Sequence, residues 1–198
     1  LIKNLIERFD NKITIINQDI LKYDLKLLNN KDFIIFGNLP YNISSQILVN
    51  LINYSYSNFF YKKLILMFQK EVADRILAQD NSKDYGRLSI ISSWKLDIKK
   101  IMDINPSSFF PKPKVMSSLL IFEPKINYIK FKNSKNLEHI TNVFFNQRRK
   151  MIKKPLNILF KNSNKVIDEL DLDINLRPQN LKKETFYKIC LIYEELIN

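Results

Sequence analysis

The sequence predicts an α/β domain followed by a small all-helical one. Short, continuously apolar β-branched runs alternate with helically spaced apolar residues in the first two thirds of the chain. After Pro124 only helical spacing remains, and the basic charge rises. Continuous apolar runs suit parallel strands buried on both faces, whereas spacing of three and four marks helices. The elements follow in order. Leu1–Ile6 carries apolar positions suited to a helix already under way. Ile13–Asn17 is expected to be a strand ending in Gln18-Asp19, and Phe33–Phe36 a second ending in Gly37-Asn38. Ser45–Tyr54, apolar at 47, 48, 51 and 52, reads as the crossover helix to a third strand, Leu64–Phe68. Gln69–Leu77 and Arg87–Trp94 read as helices. Lys95–Ile104 and Met116–Phe122 read as a closing strand pair around the Pro-rich stretch 106–113. A boundary near 124–130 divides residues 1–124 from a helical unit, 125–198. That unit has stripes at Leu137, Ile140, Val143 and Phe144, and at Phe186, Ile189, Cys190, Tyr193 and Ile197.

Composition narrows the functions available. Among 198 residues, 32 Lys and Arg face 20 Asp and Glu, a formal net charge of +12 with a pI near 9.6. Such an excess points to a polyanionic partner, since self-repulsion gains nothing for folding. No apolar run approaches the roughly 20 residues of a transmembrane helix, so a membrane is not the expected partner. One cysteine, Cys190, excludes a disulfide framework and a Cys-rich zinc site, and suits a reducing compartment. One histidine, His139, speaks against Ser–His–Asp catalysis and a multi-His metal site, so no metal is expected. With only Gly37 and Gly86, these residues hold no Gly-rich phosphate loop. His139, Cys190 and Trp94 are read as structural.

The most informative segment is Phe36-Gly37-Asn38-Leu39-Pro40-Tyr41-Asn42. It sets an amide, a rigid proline turn and an aromatic directly after a buried run, where open α/β sheets bind ligands. A simple strand-to-helix turn, with Asn42 or Ser44 as helix cap, accounts for the same letters. The chemical reading is more specific. The exocyclic amine of adenine is a poor nucleophile, because its lone pair is delocalised into the ring. Two acceptors gripping its hydrogens, the Asn38 side-chain oxygen and a carbonyl of the proline turn, favour a pyramidal nitrogen that aims its lone pair at an electrophilic methyl group. Tyr41 would stack on a base taken out of its helix.

Further segments stand in order along the chain: Q-D-I at 18–20, Q-K-E-V at 69–72, Y-G-R-L-S at 85–89, F-F-P-K-P-K-V-x-S at 109–117, F-N-Q-R-R-K at 145–150 and R-x-x-N-L at 177–181. Together with F-G-N-L-P-Y-N-I-S at 36–44, they make the sequence resemble the KsgA family of ribosomal RNA adenine dimethyltransferases. The resemblance implies a Rossmann-like class I methyltransferase sheet that uses S-adenosylmethionine, followed by the basic helical domain. It implies that Asp19 contacts the cofactor's adenine, that Asn38 is shared between cofactor and target amine, and that Tyr41 is the stacking platform. Pro40 would shape the turn, and Phe109 would close on the base from the proline-rich loop. Without the resemblance, Asp19 reads as a turn cap and Phe109 as loop packing. The family's Gly-rich first loop and ribose-binding acidic residue are expected ahead of Leu1, and with them the first β–α elements. Residues 1–198 alone are therefore expected to bind the cofactor poorly.

Arg148-Arg149-Lys150, with Lys153 and Lys154, is the densest basic cluster. A solvated helix end is the usual account of such a run. Beside Asn146 and Gln147 it is read as a set of phosphate contacts to rRNA, with Lys112 and Lys114 as a second patch near Phe109. The resemblance implies dimethylation of two adjacent adenines near the 3′ end of small-subunit rRNA, on an assembling subunit in the cytoplasm; a monomer is expected. Two alternatives are carried. Macrolide-resistance methyltransferases share the proline turn and the F-x-P-x-P-K-V loop but act on large-subunit rRNA, while Y-G-R-L-S and F-N-Q-R-R-K favour the small-subunit branch. A non-catalytic RNA-binding assembly factor is the other, and Asn38, Pro40 and Tyr41 argue against it.

Overall fold

The computed structural model describes residues 2–9, 12–28, 33–54 and 59–196. Helices α1 (Ile2–Phe9), α2 (Ser44–Tyr54), α3 (Lys70–Leu77) and α4 (Arg87–Lys95) accompany strands β1 (Phe33–Asn38), β2 (Tyr61–Gln69), β3 (Leu96–Ile104) and β4 (Ser117–Pro124). Helices α5 (Ser134–Asn146), α6 (Lys153–Leu159), α7 (Ser163–Glu169) and α8 (Lys183–Leu196) follow.

The four strands form one sheet in the order β1-β2-β4-β3. β1 and β2 are parallel, joined through α2, while β4 runs antiparallel to both β2 and β3. The carboxyl ends of β1, β2 and β3 and the amino end of β4 therefore lie along one edge of the sheet. Asn38 aligns with Met67, and Ser117 aligns with both Gln69 and Ile104.

β2 and β4 are central and carry the buried residues Leu64, Leu66, Phe68, Leu120 and Phe122. β1 departs from the expectation of a strand buried on both faces. It has a ladder partner on one side only among the described residues, and Phe36 is 72% exposed. The expected strand at Ile13–Asn17 does not form. Those residues are irregular, with Ile13 and Ile16 about half exposed. A β-branched run becomes a strand only where a neighbour supplies ladder bonds, and no described strand lies beside it.

Helix α4 is the hub. It packs against α2, α3, α5 and α8 and buries Ser89, Ile90, Ile91, Ser92, Trp94 and Lys95 on nearly all sides. A helix surrounded in this way shows little amphipathicity, and its serines keep neighbours close. Ser93 Oγ returns its hydrogen bond to the Ser89 carbonyl at 2.6 Å. One contiguous core runs from Ile47 to Ile192, through sheet and C-terminal helices alike. Trp94 stacks on Phe131 (centroids 4.7 Å apart) and donates to the Ile129 carbonyl at 2.7 Å, and the Tyr187 hydroxyl donates to the Ile90 carbonyl at 2.9 Å. The buried Glu194 of α8 accepts from the backbone N–H groups of Lys132 and Asn133 at 2.7 and 2.9 Å, a carboxylate set at the start of α5. Of the two expected stripes, Val143 and Tyr193 are half-buried and the remainder are buried, except Ile197, which lies outside the described residues.

Candidate active site and nucleic-acid interface

The carboxyl edge of the sheet gathers most of the residues singled out from the sequence. β1 ends in Gly37-Asn38 and turns through Leu39-Pro40-Tyr41 into α2. Gly37 leaves room for two leucine side chains that a Cβ would force to shift. A Cβ there would stand 2.7 Å from Leu66 Cδ2 of β2 and 2.8 Å from Leu39 Cδ2, closer than carbon atoms pack. Asn38 and Pro40 are exposed, and Tyr41 is half-buried. The turn is stitched by Ile43 N–H donating to the Pro40 carbonyl (3.1 Å) and Ser44 Oγ donating to the Tyr41 carbonyl (3.1 Å). Ser44 is the first residue of α2, and its hydroxyl fastens the turn by donating to a carbonyl rather than capping the helix by accepting an N–H, while Asn38 remains exposed at the end of β1. A carbonyl has two lone pairs, so the Pro40 oxygen retains accepting capacity.

Above the same edge runs the β3–β4 connection, residues 105–116, bringing Phe109, Lys112 and Lys114 to the side of the sheet that carries Asn38. Asn105 Oδ1 accepts from the Ser107 backbone N–H at 3.0 Å, starting a short 3₁₀ turn that closes with Phe109 N–H on the Pro106 carbonyl at 3.2 Å. Phe109 is half-buried, and Lys112 and Lys114 are exposed. The neighbouring Phe110, which sequence reasoning passed over, is fully exposed. The connection is anchored where Lys70 N–H donates to the Met116 carbonyl (2.9 Å) and where the Tyr41 hydroxyl and Ser117 Oγ share a hydrogen bond of 2.6 Å.

Asp19 lies in the irregular segment before β1. Its Oδ1 accepts from the Leu21 backbone N–H at 2.9 Å, so it does cap its own turn. That bond uses one carboxylate oxygen, and the other can accept from an adenine amine. An outward amide at Asn38 and an acidic acceptor at Asp19 are donor-set chemistry that fits S-adenosylmethionine.

The basic cluster divides. α5 ends at Asn146, and the chain turns where Lys150 N–H bonds the Gln147 carbonyl at 2.7 Å. Arg148 is half-buried, donating to the Gln179 side chain at 3.3 Å and to the Lys83 carbonyl. Its neighbours turn the other way. Arg149, Lys150, Lys153 and Lys154, joined by Arg177, line an open groove of about 600 Å³. Arg148 borders a cleft of about 760 Å³ with Arg75, Lys83 and Arg87, where Y-G-R-L-S and F-N-Q-R-R-K meet through Tyr85 and Phe145 (centroids 6.2 Å). Lys83 also borders a hollow with Gln69 and Met116 at the carboxyl edge. Sequence reasoning missed Arg75, Lys83 and Arg87 as a group. They are scattered singly along the chain, on α3, in the loop after it and at the start of α4, and the packing of α3 and α5 against α4 assembles them.

Cys190, Lys95 and His139 lie apart from these clefts and from the carboxyl edge. Burial pushes the Cys190 thiol far above its ordinary range, so it is inert. Burial lowers Lys95 to about 8; its ammonium donates to the Ile52 carbonyl at 3.2 Å and sits 4.1 Å over the Trp94 ring. His139 packs beside Tyr193. Among the described residues, no group of His, Cys, Asp or Glu could hold a metal ion, and no helix is long and apolar enough to cross a membrane.

The sheet, with an Asn-Leu-Pro-Tyr turn on its carboxyl edge, is that of a class I, Rossmann-like methyltransferase. The ribosomal RNA adenine dimethylase family matches residues 1–196, and the chain belongs to it. It is 54% identical over 192 residues to the ribosomal RNA small subunit methyltransferase A of Pelagibacter ubique, covering 97% of this chain and 73% of that protein. The protein of the same name from Ehrlichia ruminantium is 40% identical, covering 94% of this chain and 70% of that one. Among solved structures, a dimethyladenosine transferase from Plasmodium falciparum superposes with a TM-score of 0.77 at 27% identity, over 98% of this chain and 77% of that one. The 23S rRNA methyltransferase ErmE shares the fold, with a TM-score of 0.62 at 16% identity, over 98% of this chain and 77% of its own. The chain is an rRNA adenine dimethyltransferase, an enzyme class whose methyl donor is S-adenosylmethionine.

Proposed function

We propose that this protein dimethylates two adjacent adenines near the 3′ end of small-subunit rRNA, as a cytoplasmic monomer acting on the assembling small subunit. The observation that carries the reading is the exposed Asn38 amide at the carboxyl end of β1, on the same sheet edge as the loop bearing Phe109. In this reading Asn38 and a carbonyl of the Leu39-Pro40 turn accept the two hydrogens of the target amine. Tyr41 receives one face of the base, and Phe109 closes on it. Holding both hydrogens restores lone-pair character to the nitrogen, and the Asn38 amide does this without titrating. Asp19 and Asn38 would hold S-adenosylmethionine, which when bound would provide a methyl group activated on a sulfonium.

Residues 1–124 would carry methyl transfer and residues 125–198 the grip on RNA. The exposed cations Arg149, Lys150, Lys153 and Lys154 and the exposed Lys112 and Lys114 support phosphate contacts at two places. Arg148, half-buried and bonded to its own chain, supports a lesser share of that contact and a role in holding the 79–86 loop. The small-subunit assignment draws on the names of the Pelagibacter and Ehrlichia relatives.

The test is single-turnover methyl transfer by the full-length gene product to small-subunit precursor RNA and, separately, to large-subunit RNA, followed by nucleoside mass spectrometry. N6,N6-dimethyladenosine at two adjacent positions of the small-subunit RNA is expected. Modification of the large-subunit RNA alone would overturn the substrate, and absence of product on both would overturn the catalytic roles given to these residues.

A further inference from the structure

The hydrogen bond between the Tyr41 hydroxyl and Ser117 Oγ joins residues 76 positions apart at a separation of 2.6 Å, the short end of the O–H···O range. The two partners have very different freedom. Ser117 is fully buried and opens β4, where it is held between β2 and β3 through pairing with Gln69 and Ile104. Its hydroxyl is therefore a fixed point of the sheet. Tyr41 sits in the turn, with its carbonyl already pinned by Ser44, so the remaining freedom belongs to the ring. The bond removes that freedom. Ser118, one residue on and hence on the opposite face, anchors the other side by donating to Asp103 Oδ1 at 2.6 Å. Adjacent serines of β4 thus brace the β1 turn and the end of β3 at once.

We infer that Ser117 is a positioning residue for methyl transfer: through the Tyr41 hydroxyl it fixes the plane of the ring that receives the target base, and it locks the Asn38–Tyr41 turn to the strand that ends the Phe109 loop. This rests on the reading that Tyr41 is the stacking platform. Stacking depends on plane and offset, and a ring free to rotate presents the amine to Asn38 in many orientations. A ring tied at its far end presents it in one, which is preorganisation of the reacting geometry. The hydroxyl has no proton-transfer part here, because its partner is a neutral alcohol.

The experiment is a double-mutant cycle in the full-length gene product. Tyr41→Phe keeps the ring and removes the tie from one end, Ser117→Ala removes it from the other, and the double variant removes both. Single-turnover methyl transfer at saturating RNA, RNA affinity and melting temperature are measured for each. Each single variant is expected to slow transfer about 5–10-fold, the size of one lost hydrogen bond. The double variant is expected to be no slower than either single one, because the same bond is lost. RNA affinity should stay within about twofold, since phosphate contacts dominate it. An RNA carrying 2-aminopurine at the target position adds a readout of stacking. Its fluorescence should be less quenched in both single variants than in the wild type.

Slowing that multiplies in the double variant would overturn the proposal, as would wild-type rates in folded Ser117→Ala, or losses that track only the folded fraction. Ser117→Thr, which keeps the hydroxyl, should recover wild-type transfer if it folds; the cycle decides the matter without it. Tyr41→Ala separates the two ideas. Wild-type turnover and quenching in that variant would remove Tyr41 as the platform, whereas a severe loss there alongside neutral Tyr41→Phe would keep the platform and discard the tie.

Discussion

At the carboxyl edge of the sheet, the turn that follows β1 is fastened on every side. Gly37 is pressed under Leu66, Pro40 and Tyr41 accept bonds from Ile43 and Ser44, and the Tyr41 ring is tied to Ser117. After α5 the opposite holds. Arg149, Lys150, Lys153 and Lys154 stand exposed, and none of the described residues forms an ion pair with them. Under the proposed function, the first region would act by holding reacting groups in fixed geometry, and the second by summing charge, to which the position of any one ammonium matters little. Changes at the edge should therefore alter rate and leave affinity alone, and changes in the basic groove should do the reverse.

The sharpest test of that contrast is Asn38→Ala, which keeps the proline turn but deletes the acceptor proposed for the target amine. Turnover in the full-length gene product should fall about 10²–10³-fold, as on losing one preorganised polar group elsewhere, with little change in RNA affinity. A drop in melting temperature with intact turnover per folded molecule would return Asn38 to a purely structural part. Gly37→Ala is next. The added methyl group must displace Leu66 or Leu39, at a cost of about 1–3 kcal/mol in stability. The Asn38 amide should shift with the strand end, so thermal melts and turnover should fall together while RNA affinity holds.

In the basic groove, Arg149→Ala or Lys150→Ala should weaken related and unrelated RNAs about equally and lower the log-affinity against log-salt slope by about 1. Arg148→Ala should lower the slope less and the melting temperature more, because that guanidinium is spent on Gln179 and Lys83. Equal slopes for Arg148 and Arg149 variants would break the division of the cluster.

The smallest effect serves as a control between the two regions. Burial lowers the Lys95 ammonium from its ordinary 10.5 to about 8. Below pH 8 it is charged in folded and unfolded chains alike, and the full cost of burying it is present. Between about pH 8 and 10.5 the unfolded chain holds the proton and the folded one does not, so stability gains as pH rises. Lys95→Met lacks this response. Its melting temperature relative to wild type should therefore decline across that window, with turnover and salt slope unchanged. A constant difference across the window would show that burial does not govern this lysine.

Much of this architecture is legible in the residues, because a strand such as Leu64–Phe68 and a helix such as Ser45–Tyr54 announce themselves by local periodicity. Local pattern fails where the outcome depends on a neighbour. Ile13–Asn17 has the letters of a strand and no described strand beside it. The F-I-I-F run reads as buried on both faces, yet among the described residues β1 is paired on one side and Phe36 lies in solvent. Arg148 and Arg149 are adjacent in sequence, and the turn at Gln147 sends them into different clefts. At the candidate site, the turn and its loop were visible as motifs, whereas the Tyr41–Ser117 bond was not. Nothing about a serine at the end of F-F-P-K-P-K-V-M-S says that it reaches a ring 76 residues earlier.

Trp94 stacks on Phe131 and donates its indole N–H to the Ile129 carbonyl, while the Tyr187 hydroxyl donates to the Ile90 carbonyl. The seam between α4 and the C-terminal part of the chain is thus made of large interlocking shapes. A smaller residue at 94 leaves a hole that only a larger one near 131 or 187 can fill, so accepted changes should arrive in matched pairs. Hybrids that join the first part of one homologue to the last part of another should inherit mismatched surfaces there and fold badly, even when each parent folds well.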